Sequence, residues 1–389
     1  WGFPEGPSYA ETQRKFRMEG EELVCDDAPH PRQFVGPFST PTLAELRAEL
    51  SSPPPSAPPA RPQLLRFGHV AEPVGVVPLI MDARNAGCVF QAASQFNALE
   101  MVGPGVTPQA GIGVYETDPT QGPKCALACP AATLYRNYLH DAGGGPGAGR
   151  CQIDCLSDVA RVVGNDTFGY WSMQNGYSLP TGPGAMRALG ERLLADAGLT
   201  LAAEAALRVA VHWDTQVKPP GTHRVTQVFA SAAPVAYAKA TPSAEWAPFA
   251  RLVLRAAYDA TLTAAAVRSR REGGRRVRVF LTSLGGGAFG NRTEWITSAI
   301  RAALERHSHE PLDVVLVHYG TRCPADKLQA LPPVKGAARE EKTAEEAEAE
   351  RLHAERVASS EQEQERAHHV AGLLSAHFAQ RQPHADAGT

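Results

Sequence analysis

The chain has little of what marks several large classes of protein. It has no strong excess of either charge: the formal charge is −3 over 389 residues and the isoelectric point is near 6.5. No general electrostatic case exists for nucleic acid or for an anionic membrane surface. Long apolar runs are missing, since each is soon broken by Gly, Pro or a charged residue, so no stretch looks like a transmembrane helix. No signal peptide is visible, and the chain starts on Trp1 rather than Met, which suggests a fragment without its true N-terminus. Cysteine is scarce and odd in number, at seven, in a chain long enough to form a core without disulfide staples. Reduced thiols in an intracellular compartment, cytoplasmic or nuclear, are expected. Cys125/Cys129 and Cys151/Cys155 are C-x-x-x-C pairs, and four thiolates on two helix faces admit zinc in principle. Structural zinc favours C-x-x-C on a turn, however, and Pro130 follows Cys129 directly, so free thiols, no metal and no cofactor are expected.

The organisation is in three parts. Residues 1–62 read as an N-terminal extension ending in the Pro-rich linker "SSPPPSAPPARP". Within it, Thr40 is a helix-cap candidate, Pro41 takes the first helical position, and Leu43, Leu46 and Leu50 follow at helical spacing. Residues 63–325 alternate strand and helix signals. "CVFQAAS", "LRVAVHW", "VTQVFASAA", "VRVFLTSL" and "LDVVLVHYG" are apolar runs of strand length. Between them, Trp246 to Ala266 has a helical stripe of Phe249, Val253, Ala256 and Ala257, and "TEWITSAIRAALERH" has one of Ile296, Ile300, Ala303 and Leu304. This pattern predicts a layered α/β fold on a parallel or mixed sheet. "HDAGGGPGAGR" (His140 to Arg150) reads as a surface loop. Residues 326–389 form a polar tail, helical or disordered, whose "VAGLLSAHF" segment could dock a protein partner.

The most informative stretch is "VFLTSLGGGAFGN", Val279 to Asn291. A buried strand ending in glycines ahead of a helix is where α/β proteins hold phosphate: the backbone comes close without a Cβ, and the helix N-terminus offers free N–H groups. Asn291 and Glu294 stand as a capping box. Two familiar phosphate loops are excluded. A Walker loop needs Lys and Ser/Thr where Asn291 and Arg292 stand. A dinucleotide fingerprint needs an acidic residue near the end of the next strand, whereas Glu310 precedes that strand and only one strand follows. The bland alternative is a tight turn with Phe289 in the core.

The ordered series "VTQVFASAAPVAYA", "FARLVLRAAYDATL", "VRVFLTSLGGGAFGN", "WITSAIRAAL", "VVLVHYG", with "NAGCVFQAASQFNALE" upstream, resembles the macrodomain superfamily, closest to its microbial poly(ADP-ribose) glycohydrolase-like branch. The resemblance implies a three-layer α/β fold with a mixed central sheet and an ADP-ribose site. Gly285, Gly286, Gly287, Ala288 and Gly290 would wrap the diphosphate, Phe289 would lie against the distal ribose, and Asn97 would bond a ribose hydroxyl. Asn291 would complete the loop as a further ligand-binding residue, and Asp82 is the nearest thing to an adenine partner. ADP-ribose or an ADP-ribosylated protein is the implied partner.

The branch carries Gln-Glu-Glu, with one Glu acting as acid/base. Here Gln121 keeps the place of that Gln, which implies a ligand-binding role for it, but Gly122 and Pro123 follow it in place of the two glutamates. Glu100, Glu116 and Asp118 are the carboxylates able to take over, each with an alternative as a solvated loop residue. Three classes stay open: an ADP-ribosyl hydrolase, a binding module without turnover, and an assembly protein that keeps the fold. "WSMQNGYSLP" suits a base-stacking pocket or a packed lid. His212 and Asp214, alternating along a strand, suit an acid/base pair or a structural one.

Overall fold

A computed structural model describes residues 1–2, 4–52, 64–140 and 152–334. The Pro-rich linker, most of the His140–Arg150 loop and the polar C-terminal stretch lie outside the described residues. The strands are β1 (Arg17–Glu19), β2 (Glu22–Val24), β3 (Arg32–Phe34), β4 (Phe38–Ser39), β5 (Arg66–Glu72), β6 (Val89–Ala93), β7 (Trp171–Gln174), β8 (Tyr177–Pro180), β9 (Ala210–Gln216), β10 (Arg224–Ala230), β11 (Val277–Leu281) and β12 (Leu312–Tyr319).

Seven of them make one mixed sheet in the order β4-β9-β10-β6-β11-β12-β5. β10, β6, β11, β12 and β5 run parallel, and β9 runs antiparallel to both its neighbours. All five apolar runs picked out in the sequence are strands of this sheet. β5 escaped because "RFGHVAE" carries Arg66, His69 and Glu72 on an edge strand, where polar residues are tolerated.

Helices cover both faces, which follows from two glutamines. Gln227 of β10 lies in register with Phe90 of β6, next to Gln91. Neighbouring residues of a strand point to opposite faces. Gln227 donates to the Cys125 carbonyl at 2.7 Å, on the helix Gln121–Ala128. Gln91 donates to Thr261 Oγ1 at 2.8 Å, on the helix Ser243–Arg271. The sheet is therefore the middle of three layers. The predicted helical stripe of Phe249, Val253, Ala256 and Ala257 is buried, but so is most of that helix's circumference. It packs against the helices Leu43–Ser51, Ala185–Ala195 and Thr293–Arg306 as well as the sheet.

Both predicted boundaries of the core need correction. Residues 1–52 are no appendage: β4 pairs with β9, and Leu43 and Leu46 are fully buried. The cap of the helix Leu43–Ser51 is Thr42, not Thr40. Its Oγ1 accepts from Glu45 N at 3.1 Å, while Glu45 Oε2 accepts from Thr42 N at 2.7 Å. Phe16, Leu23 and Val35 join Leu99, Tyr115 and Tyr138 in a second apolar core. Glu5 ties the segment down by accepting from Ile112 N and Gly113 N, each at 2.8 Å, and from the Tyr138 hydroxyl. At the other end, the helix Ala325–Ala330 and buried Leu331 pack on the sheet edge, and Val334 bridges to Phe67. Compositional shifts marked the linkers correctly as poor in apolar residues, but they could not show that a short apolar segment beyond them finds a partner.

"TEWITSAIRAALERH" is the helix Thr293–Arg306, with its predicted stripe buried. Its N-cap is Arg292 rather than Asn291, whose amide is engaged elsewhere. "WSMQNGYSLP" is the hairpin β7–β8, turned on Asn175 and Gly176, both at positive φ. Among the described residues no helix is long and apolar enough to cross a membrane.

Asp259 joins the N-terminal helix to the core. Its buried carboxylate accepts from His307 Nε2 (2.9 Å) and Arg47 Nη2 (2.5 Å) and forms an ion pair with Arg306 Nε (2.9 Å). Burial alone would raise the Asp259 carboxyl, but the hydrogen bonds from His307 and Arg47 hold it below its ordinary value. A carboxyl lowered in the fold stabilises fully above the unfolded-chain value, near 4, and loses that contribution as pH falls through its lower folded value. Asp259→Ala should therefore cost about 3 kcal/mol at pH 7, with the gap to wild type shrinking on acidification, measured by urea melts across pH. A pH-independent difference would contradict this account. Deleting residues 1–52 should remove cooperative unfolding altogether, read by circular dichroism.

Candidate functional site

A concavity of about 730 Å³ opens at the carboxyl ends of the parallel strands. Its walls come from the residues that follow β6, β10 and β11 and from the end of β12. The position follows from the topology: β10 lies on one side of β6 and β11 on the other, which is where an open α/β sheet leaves a crevice. β6 and β11 pair only at Val89–Val279 and Phe90–Phe280. Beyond that pair, the Gln121 side chain takes the rungs of β6, its Oε1 accepting from Ala93 N and its Nε2 donating to Gln91 O, both at 2.8 Å.

The glycine segment forms one wall. Gly285 adopts φ +65°, and a Cβ there would lie 2.5 Å from Asn291 Nδ2 and 2.6 Å from Ala232 Cβ. Asn291 holds the loop in place: its N–H donates to Gly285 O at 2.9 Å and its Nδ2 to Ala233 O at 2.8 Å. The Phe289 carbonyl accepts from Ala236 N at 3.0 Å. With its ends fixed in this way, the loop leaves the N–H groups of Gly287, Ala288 and Phe289 without an acceptor among the described residues. Gly287 and Ala288 are exposed, and an added Cβ on Gly287 would meet nothing within 4 Å. The Phe289 ring packs against Tyr177 and Tyr237, with centroids 5.4 and 5.5 Å away, and all three rings line the cavity.

The cavity lining also includes Glu100, which is 1% exposed. The Arg136 guanidinium lies 3.8 Å from its Oε2 and is itself buried, stacked 3.7 Å over Phe229 with Nε donating to Ala98 O. Tyr115 Oη accepts from Glu100 N at 2.9 Å. Neither carboxylate oxygen, and neither terminal nitrogen of Arg136, completes a hydrogen bond. Burial pushes the Glu100 carboxyl up to about 7, against the opposing pull of Arg136 and the nearby Ser94 and Tyr115 hydroxyls. A carboxyl poised near neutrality, in a cavity, with unfilled hydrogen-bonding capacity is suited to moving a proton.

The other candidates separate clearly. Gly285, Gly286, Gly287, Ala288, Phe289, Gln121, Asp118 and Glu100 all line the cavity. Asp118 stands on the rim, where its Oδ1 accepts from Thr120 N and Oγ1. Glu116 is exposed and away from the cavity. Asn97 is sealed behind Gly176: its Oδ1 accepts from Leu99 N and its Nδ2 donates to Gln152, so it caps a turn and does not face the cavity. Gly290 and Asn291 stand behind the loop as supports, and Gln121 is spent on β6. Asp82 pairs with Arg84 away from the cavity.

His212 and Asp214 are not a catalytic pair. His212 is fully buried among Phe38, Tyr135 and Phe229, with burial pushing its imidazole well below the ordinary value. Asp214, at φ +54° beside a register shift, pairs with Arg268 at 2.6 Å. Cys125, Cys129 and Cys155 are buried thiols pushed up by burial, and Cys151 lies outside the described residues. Sequence reasoning missed Gln95, Tyr177, Tyr237, Ser283, His318 and Lys327 on the walls. The Asn-Gly turn of β7–β8 was the readable signal for Tyr177.

No protein-family model and no curated protein sequence matches the chain. Among solved structures, it is similar to poly(ADP-ribose) glycohydrolase from Deinococcus radiodurans in complex with ADP-ribose, at 12% identity and TM-score 0.40, over 75% of this chain and 92% of that one. The poly(ADP-ribose) glycohydrolase from Thermomonospora curvata matches at 12% identity and TM-score 0.38, over 82% and 93%. The same enzyme bound to the inhibitor ADP-HPD matches at 13% and 0.37, over 82% and 92%.

Carboxyl-edited infrared or NMR titration of the full chain should find one folded-state carboxyl with a midpoint near 7, absent in Glu100→Gln. A midpoint near 4.5 for that group would show that the pocket is wetter than its geometry requires.

Proposed function

We propose that the cavity binds ADP-ribose or a related nucleotide, and that Glu100 moves the proton when ADP-ribose is released from a modified protein. The observation that carries this reading is the presence, on the walls of one cavity, of a loop with three unpaired backbone N–H groups and of a buried carboxyl whose oxygens make no hydrogen bond. The amides suit a diphosphate. The Phe289, Tyr177 and Tyr237 rings suit the apolar face of a ribose. Tyr319, 72% exposed on the rim beside Gly75, offers a ring face to a base. A cavity of about 730 Å³ is in the range for a ligand of this size.

In the hydrolytic reading, Glu100 in its acid form gives its proton to the leaving oxygen as the glycosidic C–O bond breaks. The resulting carboxylate then takes a proton from the water that adds to the anomeric carbon, which restores the acid. Arg136 steadies the carboxylate between the two steps. A second reading, binding without turnover, is favoured by Gly122 and Pro123 in place of acidic residues. There Glu100 serves as the structural partner of Arg136.

Calorimetry and a release assay on ADP-ribosylated protein separate these readings. Wild type should bind ADP-ribose at micromolar Kd, about −8 kcal/mol. Gly287→Val should abolish binding with no loss of fold, since the new side chain meets only the space the ligand needs. Glu100→Gln should retain binding and slow release by about 10²–10⁴-fold. Binding without release by wild type leaves the binding module; no binding at millimolar ligand removes both.

A further inference from the structure

Beyond the glycine loop, the cavity contains a cation that nothing so far has used. Lys327, on the helix Ala325–Ala330, lines the cavity and donates to Ser283 Oγ at 2.6 Å. Ser283 stands two residues before Gly285, at the root of the loop whose N–H groups are unpaired. The lysine's position is built. Leu331 N donates to Lys327 O at 2.9 Å, Leu331 is buried, and its carbonyl accepts from His69 Nε2 at 2.7 Å. Val334 and Phe67 exchange backbone hydrogen bonds one step further on. Three hydrogen bonds thus pin the end of the helix to the β5 edge.

The charges on the cavity wall single this lysine out. Lys124 is the other lysine there, and its Nζ is taken by the Glu116 carbonyl at 3.0 Å. His318 is neutral at physiological pH, since burial first, then the neighbouring His69 and Lys327, push it down to about 4. Lys327 forms no salt bridge among the described residues, and burial lowers its ammonium from the ordinary value with only the neighbouring Asp326 opposing. A half-buried ammonium whose contact is a neutral hydroxyl is short of an anion.

We propose that Lys327 and Ser283, together with the N–H groups of Gly287 and Ala288, form a phosphate subsite, so that the last helix among the described residues is part of the ligand site. This rests on the nucleotide reading of the cavity but extends it, adding a side-chain cation to a loop that otherwise offers only amides. The ligand class is a phosphomonoester or diphosphate. A cut after residue 325 would remove the lysine.

The test titrates the full chain with ADP-ribose and, separately, with inorganic pyrophosphate, at low and at raised salt, for wild type, Lys327→Met and Lys327→Arg. Lys327→Met keeps the aliphatic stem and should weaken both ligands by about 10–100-fold while flattening the salt dependence, with Lys327→Arg recovering most of the affinity. An unchanged melting temperature shows that the loss is not one of fold, and Ser283→Ala gives an independent, smaller loss. ADP-ribose bound equally by wild type and Lys327→Met overturns the subsite and leaves the nucleotide reading standing. Pyrophosphate bound in a Lys327-dependent way, with no ADP-ribose binding, supports the subsite and overturns that reading. No binding of either ligand by wild type overturns both.

Discussion

The site depends on the parting of two strands. β6 and β11 stay together for two register pairs and then separate, and a crevice between parallel strands must be floored by something that can pair with a bare strand edge. Gln121 does this through its amide, which acts as one further rung on β6. The residue after it can only be glycine. A Cβ on Gly122 would lie 1.8 Å from the Ala93 carbonyl oxygen and 3.1 Å from Glu100 Cγ. The absence of an acid at position 122 and the presence of Glu100 at the cavity floor are therefore one arrangement. The helix sits so close to β6 that no side chain fits between them, and the nearest carboxyl reaches the space from the loop after β6.

Electrostatics then divide the cavity. At Glu100, a buried acid and a buried guanidinium stand 3.8 Å apart with their outer atoms unfilled, and burial, outweighing the pull of Arg136, pushes the carboxyl up to about 7. At the glycine-loop end, partial positive charge comes from unpaired amides and full charge from Lys327. In the proposed reading, a diphosphate meets the amides and Lys327, and the sugar bond meets Glu100. The N-terminal segment takes part from behind. Glu5 fixes the turn that carries Tyr115, and the Tyr115 hydroxyl accepts from the backbone of Glu100.

The α/β class, the five inner strands and the glycine loop were legible because strands buried inside a sheet leave apolar runs and a strand–glycine–helix order is physically restrictive. Glu100 was legible only as one of three carboxylates, since burial, which separates it from Glu116, is a tertiary property. Asn97 and Asn291 were misplaced for the same reason: an asparagine beside a turn has two uses, and only the packing of Gly176 and of Ala233 shows that both are structural. Lys327 was hidden by composition, because it lies where the chain turns polar and its short helix is anchored by contacts far apart in sequence, at Leu331, Val334 and the Ala330 carbonyl.

A crystal of the full chain soaked in ADP-ribose tests the central claim most directly. The account predicts the diphosphate on the amides of Gly287, Ala288 and Phe289, with the anomeric carbon of the distal ribose facing Glu100. Ligand density elsewhere on the surface, or an empty cavity at saturating ligand, would contradict it.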